Sequence, residues 1–200
     1  MTNKFGVKWT FLRQQVASVV ADPFIGIISK SRLSPNMLTV IGLAVSFGAA
    51  GVIATERLLV GGVLVLVAGL FDMLDGALAR SIGRETKLGG LVDSVSDRLA
   101  EAVLFTALLV VYTSRGSLVG VLLTIAALVG SFLTSYIRAR AEGLGLDCRV
   151  GLFTRGERVL VLAIGLMLNQ ALIAVGVITI LGWVTVAQRI FHAWRQMRGQ

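Results

Sequence analysis

The sequence predicts an all-α integral membrane protein with six transmembrane helices, preceded by an amino-terminal interfacial amphipathic helix. Its 200 residues are 56% hydrophobic and only 15% charged, and the mean hydropathy is +0.84, whereas an ordinary soluble domain has about 25% charged residues. Uncharged stretches run from Leu33 to Thr55, from Gly116 to Ile137 and from Val159 to Gln188. Each is long enough to cross a bilayer, which takes about 20 apolar residues.

Two further apolar stretches, Leu58 to Phe71 and Ala102 to Ser114, are too short to span a membrane by themselves. Each becomes long enough if its helix continues through the neighbouring segment that contains carboxylates. We therefore expect a second helix over about Leu58 to Arg80 and a third over about Leu88 to Tyr112. A short loop over 81–87 would join them.

The last apolar stretch could form one long tilted helix or two short ones that turn near Asn169 and Gln170. Hydropathy does not decide between these, but the basic residues do. With six helices, nearly all Lys and Arg share one side, and only Arg57 and Arg115 fall opposite. This is the positive-inside pattern of cytoplasmic helix ends, so we expect a multi-pass protein of the cell membrane.

The net charge of +8 is then concentrated at the cytoplasmic face, where it can meet anionic headgroups or phosphorylated substrates. Nucleic acid is not an expected partner. The segment 1–33 mixes basic, aromatic and aliphatic residues without the long apolar run of a signal peptide, and predicts an amphipathic juxtamembrane helix. Ser34 and Pro35 are a capping hydroxyl and a proline suited to a first helical position. They begin a single six-helix domain, 34–200.

Four aspartates stand out in the second and third predicted helices. A charged side chain in a membrane helix costs a few kcal/mol or more unless it is paired, hydrated or bound to a cation. Asp72 and Asp75 share one face of the second helix, and Asp93 and Asp97 are one turn apart on the third. Because a short loop makes the two helices antiparallel neighbours, the four carboxylates can converge. The 14 residues from Leu58 to Asp72 span about 21 Å, which places the acids toward the cytoplasmic end.

Such a cluster of carboxylates predicts a site for hard divalent cations with oxygen ligands, Mg²⁺ or Mn²⁺, with two ions per site. Cys148 is the only cysteine and His192 the only histidine. An internal disulfide is therefore excluded, and a metal site built from cysteine or histidine is not expected.

The segment 72–80, Asp-Met-Leu-Asp-Gly-Ala-Leu-Ala-Arg, is followed by Gly89, Asp93 and Asp97. This pattern resembles the signature of the CDP-alcohol phosphotransferase (CDP-alcohol phosphatidyltransferase) family. The resemblance implies a homodimeric membrane enzyme of phospholipid biosynthesis. Such an enzyme transfers the lipid phosphate of a CDP-diacylglycerol-type donor to an alcohol and releases CMP.

The resemblance also implies roles for individual residues. Asp72, Asp75, Asp93 and Asp97 would be metal ligands, and Asp97 would also accept the proton of the attacking hydroxyl. The residues implied to bind the CDP-lipid are Asn36, Met37, Leu38, Thr39, Asp72, Gly76, Ala79, Arg80, Thr86 and Gly89.

The acceptor is expected to be recognised by an arginine-rich region, 135–142 and 151–158, together with the end of the last helix. This region is similar to that of bacterial phosphatidylinositol phosphate synthases, which implies inositol phosphate as the acceptor. The implied contacts to its phosphate are Ser135, Arg138, Arg140, Arg155 and Arg189, and guanidinium forks suit that task. In an uninterrupted helix Arg138 and Arg140 would point about 200° apart, so both can serve only if the helix ends or bends there.

The sequence also allows other interpretations of the function and of single residues. Glycerol 3-phosphate could be the acceptor, giving phosphatidylglycerol phosphate. The chain could instead be a cation transporter or channel, although a transport site is expected near the bilayer midplane on broken helices. The arginines could anchor the protein to headgroups. Locally, Arg98 is spaced to pair with Glu101, and Arg158 could pair with a neighbouring glutamate.

Overall fold

The computed structural model describes residues 34–83 and 86–198. These residues form six α-helices, which confirms the all-α class. The amphipathic helix predicted for 1–33 lies outside the described residues. In chain order the helices are α1 (Pro35–Ala54), α2 (Leu58–Ser81), α3 (Lys87–Ser114), α4 (Leu118–Gly143), α5 (Arg155–Met167) and α6 (Ala171–Arg198).

The helix boundaries follow the local signals in the sequence. Ser34 caps α1 as expected, with its hydroxyl 3.3 Å from the backbone nitrogen of Met37. Helices α2 and α3 continue through their carboxylate segments, within two residues of the predicted ends. Beyond these helices Gly83 and Gly116 adopt φ of 62° and 63°. Glycine reaches this left-handed conformation without steric cost and commonly ends helices.

The last apolar stretch forms two helices, as the distribution of basic residues indicated. Helix α5 ends at Met167 and α6 begins at Ala171. Between them Asn169 has φ of 57°, a left-handed conformation that asparagine tolerates better than most residues. The backbone nitrogen of Gln170 donates to the carbonyl of Gly165 at 2.7 Å, which closes the turn.

Four of the described helices, α1, α2, α4 and α6, are long and apolar enough to cross a membrane, and the protein is a multi-pass membrane protein. Helix α5 has 13 residues, fewer than the about 20 that a single crossing needs, and α3 begins with a charged half. Six transmembrane crossings therefore stay a prediction.

The described residues divide into two compact units. We call residues 34–45 and 67–99 the carboxylate unit, and residues 46–66 and 100–198 the helical unit. In the carboxylate unit Leu38 of α1 packs with Leu74 and Leu78 of α2. A Cβ on Gly42 would lie 3.1 Å from the Cβ of Phe71. The missing side chain thus allows α1 to approach α2 beside its aspartates.

In the helical unit the core is apolar, with Phe105, Leu108, Leu166 and Ile178 among its buried members. A Cβ on Gly62 would lie 2.8 Å from the Ala163 carbonyl oxygen, so the backbones of α2 and α5 nearly touch. Lipid tails are as apolar as leucine, and close packing at small residues is what associates helices in a bilayer.

Candidate active site

Three of the four predicted carboxylates meet in the carboxylate unit. Asp72 and Asp75 project from α2 and Asp93 from α3, and one carboxylate oxygen from each lies within 4.8 Å of the other two. The three-residue spacing on α2 puts both of its aspartates on one face. Asp75 is 4% exposed, and the other two are half-buried. The structure therefore brings these three side chains together as the sequence predicted.

Thr39 orients the most buried of these carboxylates. Its Oγ1 lies 2.5 Å from Oδ2 of Asp75 and 3.2 Å from the carbonyl oxygen of Pro35. The hydroxyl has one hydrogen, and the shorter distance and the charged acceptor direct it to Asp75. Such outer contacts fix the direction of a metal-binding carboxylate. Sequence reasoning gave Thr39 a role in donor binding and missed this contact.

The three oxygens suit a divalent cation. Carboxylates this close repel one another unless positive charge lies between them, and oxygen is the preferred ligand of Mg²⁺ and Mn²⁺. Opposite ligands at about 2.0–2.6 Å from a hard cation are about 4–5 Å apart. The observed spread of up to 4.8 Å therefore fits one such ion. Asp72, Asp75 and Asp93 are the residues that would hold it.

Asp97 lies one helical turn beyond Asp93 on α3 and is not part of this group of three. Its side chain is 15% exposed, and its Oδ2 lies 3.6 Å from Nη1 of Arg98. The same Nη1 donates to the carbonyl oxygen of Ser94 at 2.5 Å. The predicted roles of Asp97 as ligand and proton acceptor stay predictions.

Three of the residues that were predicted to bind the CDP-lipid lie close together at the start of α3. The backbone nitrogen of Gly89 donates to Oγ1 of Thr86 at 3.0 Å, which caps the helix. A Cβ on Gly89 would lie 3.0 Å from that oxygen and 3.5 Å from Oδ1 of Asn36. A side chain at position 89 would therefore crowd the polar groups of Thr86 and Asn36.

Of the remaining residues predicted to bind the CDP-lipid, some are accessible and others are buried. Arg80 is exposed, and its Nη1 would lie 3.3 Å from a Cβ on Gly76, so its guanidinium lies over that glycine. Ala79 is half-buried, and Met37 is 49% exposed. Leu38 is 1% exposed within the apolar cluster, so its side chain supports α1 and is not free to contact a nucleotide.

The residues predicted to bind the acceptor lie in the helical unit. Helix α4 continues through Gly143, so the helix end that would let Arg138 and Arg140 serve together is absent. They leave the helix about 200° apart, and at most one can face a given ligand. Arg138 is paired with Glu142 at 2.8 Å. Ser135 is half-buried.

Arg189 is 6% exposed, and backbone carbonyls occupy two sides of its guanidinium. Its Nε donates to the Val150 carbonyl at 2.9 Å, and its Nη1 donates to the Thr134 carbonyl. Gly151 has φ of 144°, and a Cβ there would lie 3.3 Å from Nε of Arg189. Arg189 thus ties the loop before α5 to α4. Arg155, the first residue of α5, is half-buried.

Sequence reasoning missed a buried ion pair. Nε of Arg158 lies 2.6 Å from Oε1 of Glu101, and the two side chains are only 3% and 6% exposed. The predicted pairing of Arg98 with Glu101 is therefore wrong. Arg158 does pair with a glutamate, but one that lies 57 positions away. The available signal was Glu101 itself, a charge at the edge of an apolar stretch that needs a partner.

Comparison with known proteins gives the family. The model of the CDP-alcohol phosphatidyltransferase family matches residues 32–191. An archaetidylinositol phosphate synthase of Pyrococcus horikoshii is 34% identical over 166 residues, which are 82% of this chain and 86% of that protein. A phosphatidylinositol phosphate synthase of Mycobacteroides abscessus is 32% identical over 199 residues, 94% of this chain and 89% of that one.

The fold matches that of the phosphatidylinositol phosphate synthase PgsA1 of Mycobacterium tuberculosis, at 28% identity. Its crystal structure with CDP-DAG bound superposes with a TM-score of 0.76 and covers 86% of this chain and 92% of that chain. Its structure with manganese and citrate gives a TM-score of 0.77, covering 86% and 88%. This chain, in which three of the four signature carboxylates converge, belongs to the CDP-alcohol phosphatidyltransferase family of phosphate-group transferases.

Proposed function

We propose that this enzyme transfers the phosphatidyl group from a CDP-diacylglycerol-type lipid to inositol phosphate, giving phosphatidylinositol phosphate and CMP. The observation that carries the proposal is the convergence of Asp72, Asp75 and Asp93 within 4.8 Å in a member of this family. Two relatives support this acceptor. The archaeal protein is named for the synthesis of archaetidylinositol phosphate, and the mycobacterial protein for that of phosphatidylinositol phosphate. Their names differ in the lipid, so the donor could carry ester- or ether-linked tails.

The donor side of the reaction belongs to the carboxylate unit. Asp72, Asp75 and Asp93, with Asp97 beside them, would hold Mg²⁺ or Mn²⁺, and we propose two ions. Bound divalent cations would neutralise charge on the diphosphate and on the departing CMP. Thr39 keeps Asp75 oriented, and the exposed Arg80 offers a further positive charge to the diphosphate. Gly76, Gly89 and Ala79 leave room for the nucleotide, with Asn36 and Thr86 as polar contacts.

The transfer itself is an in-line displacement at the phosphorus on the lipid side. The acceptor's hydroxyl oxygen bonds to that phosphorus, the bond to the CMP oxygen breaks, and the hydroxyl proton passes to Asp97. A carboxylate is a weak base toward an alcohol. The proton therefore moves late, when the new bond to phosphorus has made the hydroxyl acidic.

On the acceptor side, we propose that Arg155 binds the phosphate of the polyol. It is the first residue of α5, where the helix dipole adds positive potential to its guanidinium. Ser135, Arg189 and one of Arg138 and Arg140 are further candidates from the family resemblance. The buried contacts of Arg189 leave Nη2 as the group it could offer.

The membrane arrangement is also part of the proposal. Six crossings would place the carboxylates near the cytoplasmic end, with the active site facing the cytoplasm of the cell membrane. The segment 1–33 would lie in the interface as an amphipathic helix before the catalytic domain, 34–200, and the enzyme would act as a homodimer. The transporter alternative has no support in a chain that belongs to a transferase family.

The test is an acceptor panel in liposomes with radiolabelled CDP-diacylglycerol or its archaeol analogue. The panel contains inositol phosphate, glycerol 3-phosphate, free inositol and serine, with Mg²⁺ or with EDTA. We expect labelled lipid and CMP with inositol phosphate, and neither product when the cation is chelated. Transfer to glycerol 3-phosphate alone would replace the proposed acceptor and keep the donor chemistry. Failure with every phosphorylated polyol would refute the proposal.

A further inference from the structure

The buried pair of Glu101 and Arg158 lies in the helical unit and has no part in the chemistry described above. The guanidinium binds the carboxylate through both edges, with Nε 2.6 Å from Oε1 and Nη2 3.0 Å from Oε2. Its remaining nitrogen, Nη1, lies 3.5 Å from Oγ1 of Thr134. The pair therefore joins α3 to α5 beside a buried hydroxyl of α4.

Stability alone does not explain such a pair. Burying two charges costs desolvation energy that their attraction only roughly offsets, and apolar side chains of similar size often serve the fold as well or better. What a two-pronged ion pair adds is geometry, because the guanidinium fork accepts a carboxylate in one plane and one direction. The pair fixes how α5 is oriented relative to α3.

The part of α5 that is fixed in this way is its first turn. Arg158 lies three residues after Arg155, one turn along the same helix. The residues just before that turn are held in place as well, since the backbone nitrogen of Phe153 donates to Oγ1 of Thr185 at 3.1 Å. The backbone nitrogen of Thr154 donates to Oε2 of Glu157 at 2.7 Å. The side chain of Arg155 therefore extends from a helix end that is restrained by α3, by α6 and by the first turn of α5 itself.

We infer that Glu101 and Arg158 are positioning residues for acceptor binding, which set the direction in which Arg155 presents its guanidinium. The inference rests on the proposed function, in which Arg155 binds the acceptor's phosphate. Glu101 takes up Nε and Nη2 of Arg158 with both of its carboxylate oxygens, so neither side chain is assigned a contact with the acceptor. Their effect on the reaction passes through Arg155.

The test replaces the pair by apolar residues of similar size, in the double variant Glu101→Leu/Arg158→Met. The apparent KM for inositol phosphate is expected to rise about ten- to a hundredfold, since small misplacements of a binding group have effects of this order. The KM for the CDP-lipid and kcat at saturating acceptor are expected to stay within about twofold. An unchanged acceptor KM in the folded double variant would overturn the inference.

A double-mutant cycle shows whether the effect passes through Arg155. In an Arg155→Ala background, the apolar pair is expected to add little to the acceptor KM, because the group that it positions is already gone. Multiplicative effects would mean that the pair acts elsewhere, and would contradict the inference. An Arg155→Ala variant with an unchanged acceptor KM would remove the proposed role of Arg155, and with it the basis for the positioning role.

Two conservative variants complete the design. Arg158→Lys keeps the charge but loses the fork, and is expected to raise the acceptor KM by a smaller factor; it also supplies the comparison if the double variant does not fold.

Arg115→Lys is the matched control, since Arg115 forms an ion pair with Glu56 at 2.9 Å that is 45% exposed on both sides. We expect no change in KM there. If the wild-type enzyme does not accept inositol phosphate, the proposed identity of the acceptor is refuted. The variants are then compared with the phosphorylated polyol from the panel that the wild-type enzyme does accept.

Discussion

Asp97→Asn is expected to lower turnover by about 10²- to 10⁴-fold, the range that a positioned general base contributes. Asparagine keeps the size of the side chain but cannot accept the proton of the acceptor hydroxyl. Asp97 lies outside the group formed by Asp72, Asp75 and Asp93, so binding of the CDP-lipid is expected to persist in part. Turnover is measured as CMP release, and donor binding by titration calorimetry in detergent with the cation present.

The matched variant is Asp72→Asn, which makes the same chemical change on α2. It removes one of the three converging carboxylates, so metal and donor binding are expected to fall together with turnover. The contrast between the two variants separates the proton-accepting role of Asp97 from the metal-binding role that it would share with Asp72. Near-normal turnover in Asp97→Asn would show that another group takes the proton.

Arg158→Met alone is expected to destabilise the folded protein by about 3–5 kcal/mol, because it leaves Glu101 buried without its partner. The side chain of Glu101 is 6% exposed, so water cannot replace the lost guanidinium. Adding Glu101→Leu removes the stranded charge, and the double variant is expected to regain most of the loss. The midpoint of thermal unfolding in detergent measures both effects.

The control for this prediction is Arg115→Met, which breaks the exposed pair with Glu56. Hydrogen bonding to Arg115 holds the pKa of Glu56 below its usual value, but water solvates both groups, and exposed pairs contribute little to stability. We expect the unfolding midpoint to stay where it is. A double variant at positions 101 and 158 that is as unstable as Arg158→Met would mean that packing of the arginine stem, and not its charge, is what the fold needs.

Much of the carboxylate unit could be predicted because its signals are local. A three-residue spacing put Asp72 and Asp75 on one face of a helix, and the short connection after α2 brought α3 beside it. The turn at Asn169 could not be predicted from hydropathy, which is the same for one helix or two. There the count of basic residues on each side gave the correct choice.

The contacts that sequence reasoning missed join distant parts of the chain. Thr39 and Asp75 are 36 positions apart, and no local pattern shows which face of α1 meets α2. The same holds for Arg189, whose partners are carbonyl groups that every residue possesses. Arg138 and Arg140 needed a helix end that the sequence does not provide. Arginine, alanine and glutamate all favour helix, and the Arg138–Glu142 pair supports the last turns of α4.

The most direct test of the metal site is a Mn²⁺ titration followed by electron paramagnetic resonance, with wild type and the triple variant Asp72→Asn/Asp75→Asn/Asp93→Asn. We expect the wild type to bind Mn²⁺ and the triple variant to lose that binding. Asp147→Asn, which changes a 75% exposed aspartate of the helical unit, should bind like wild type. Equal Mn²⁺ binding by the wild type and the triple variant would contradict a divalent cation site at the three converging carboxylates.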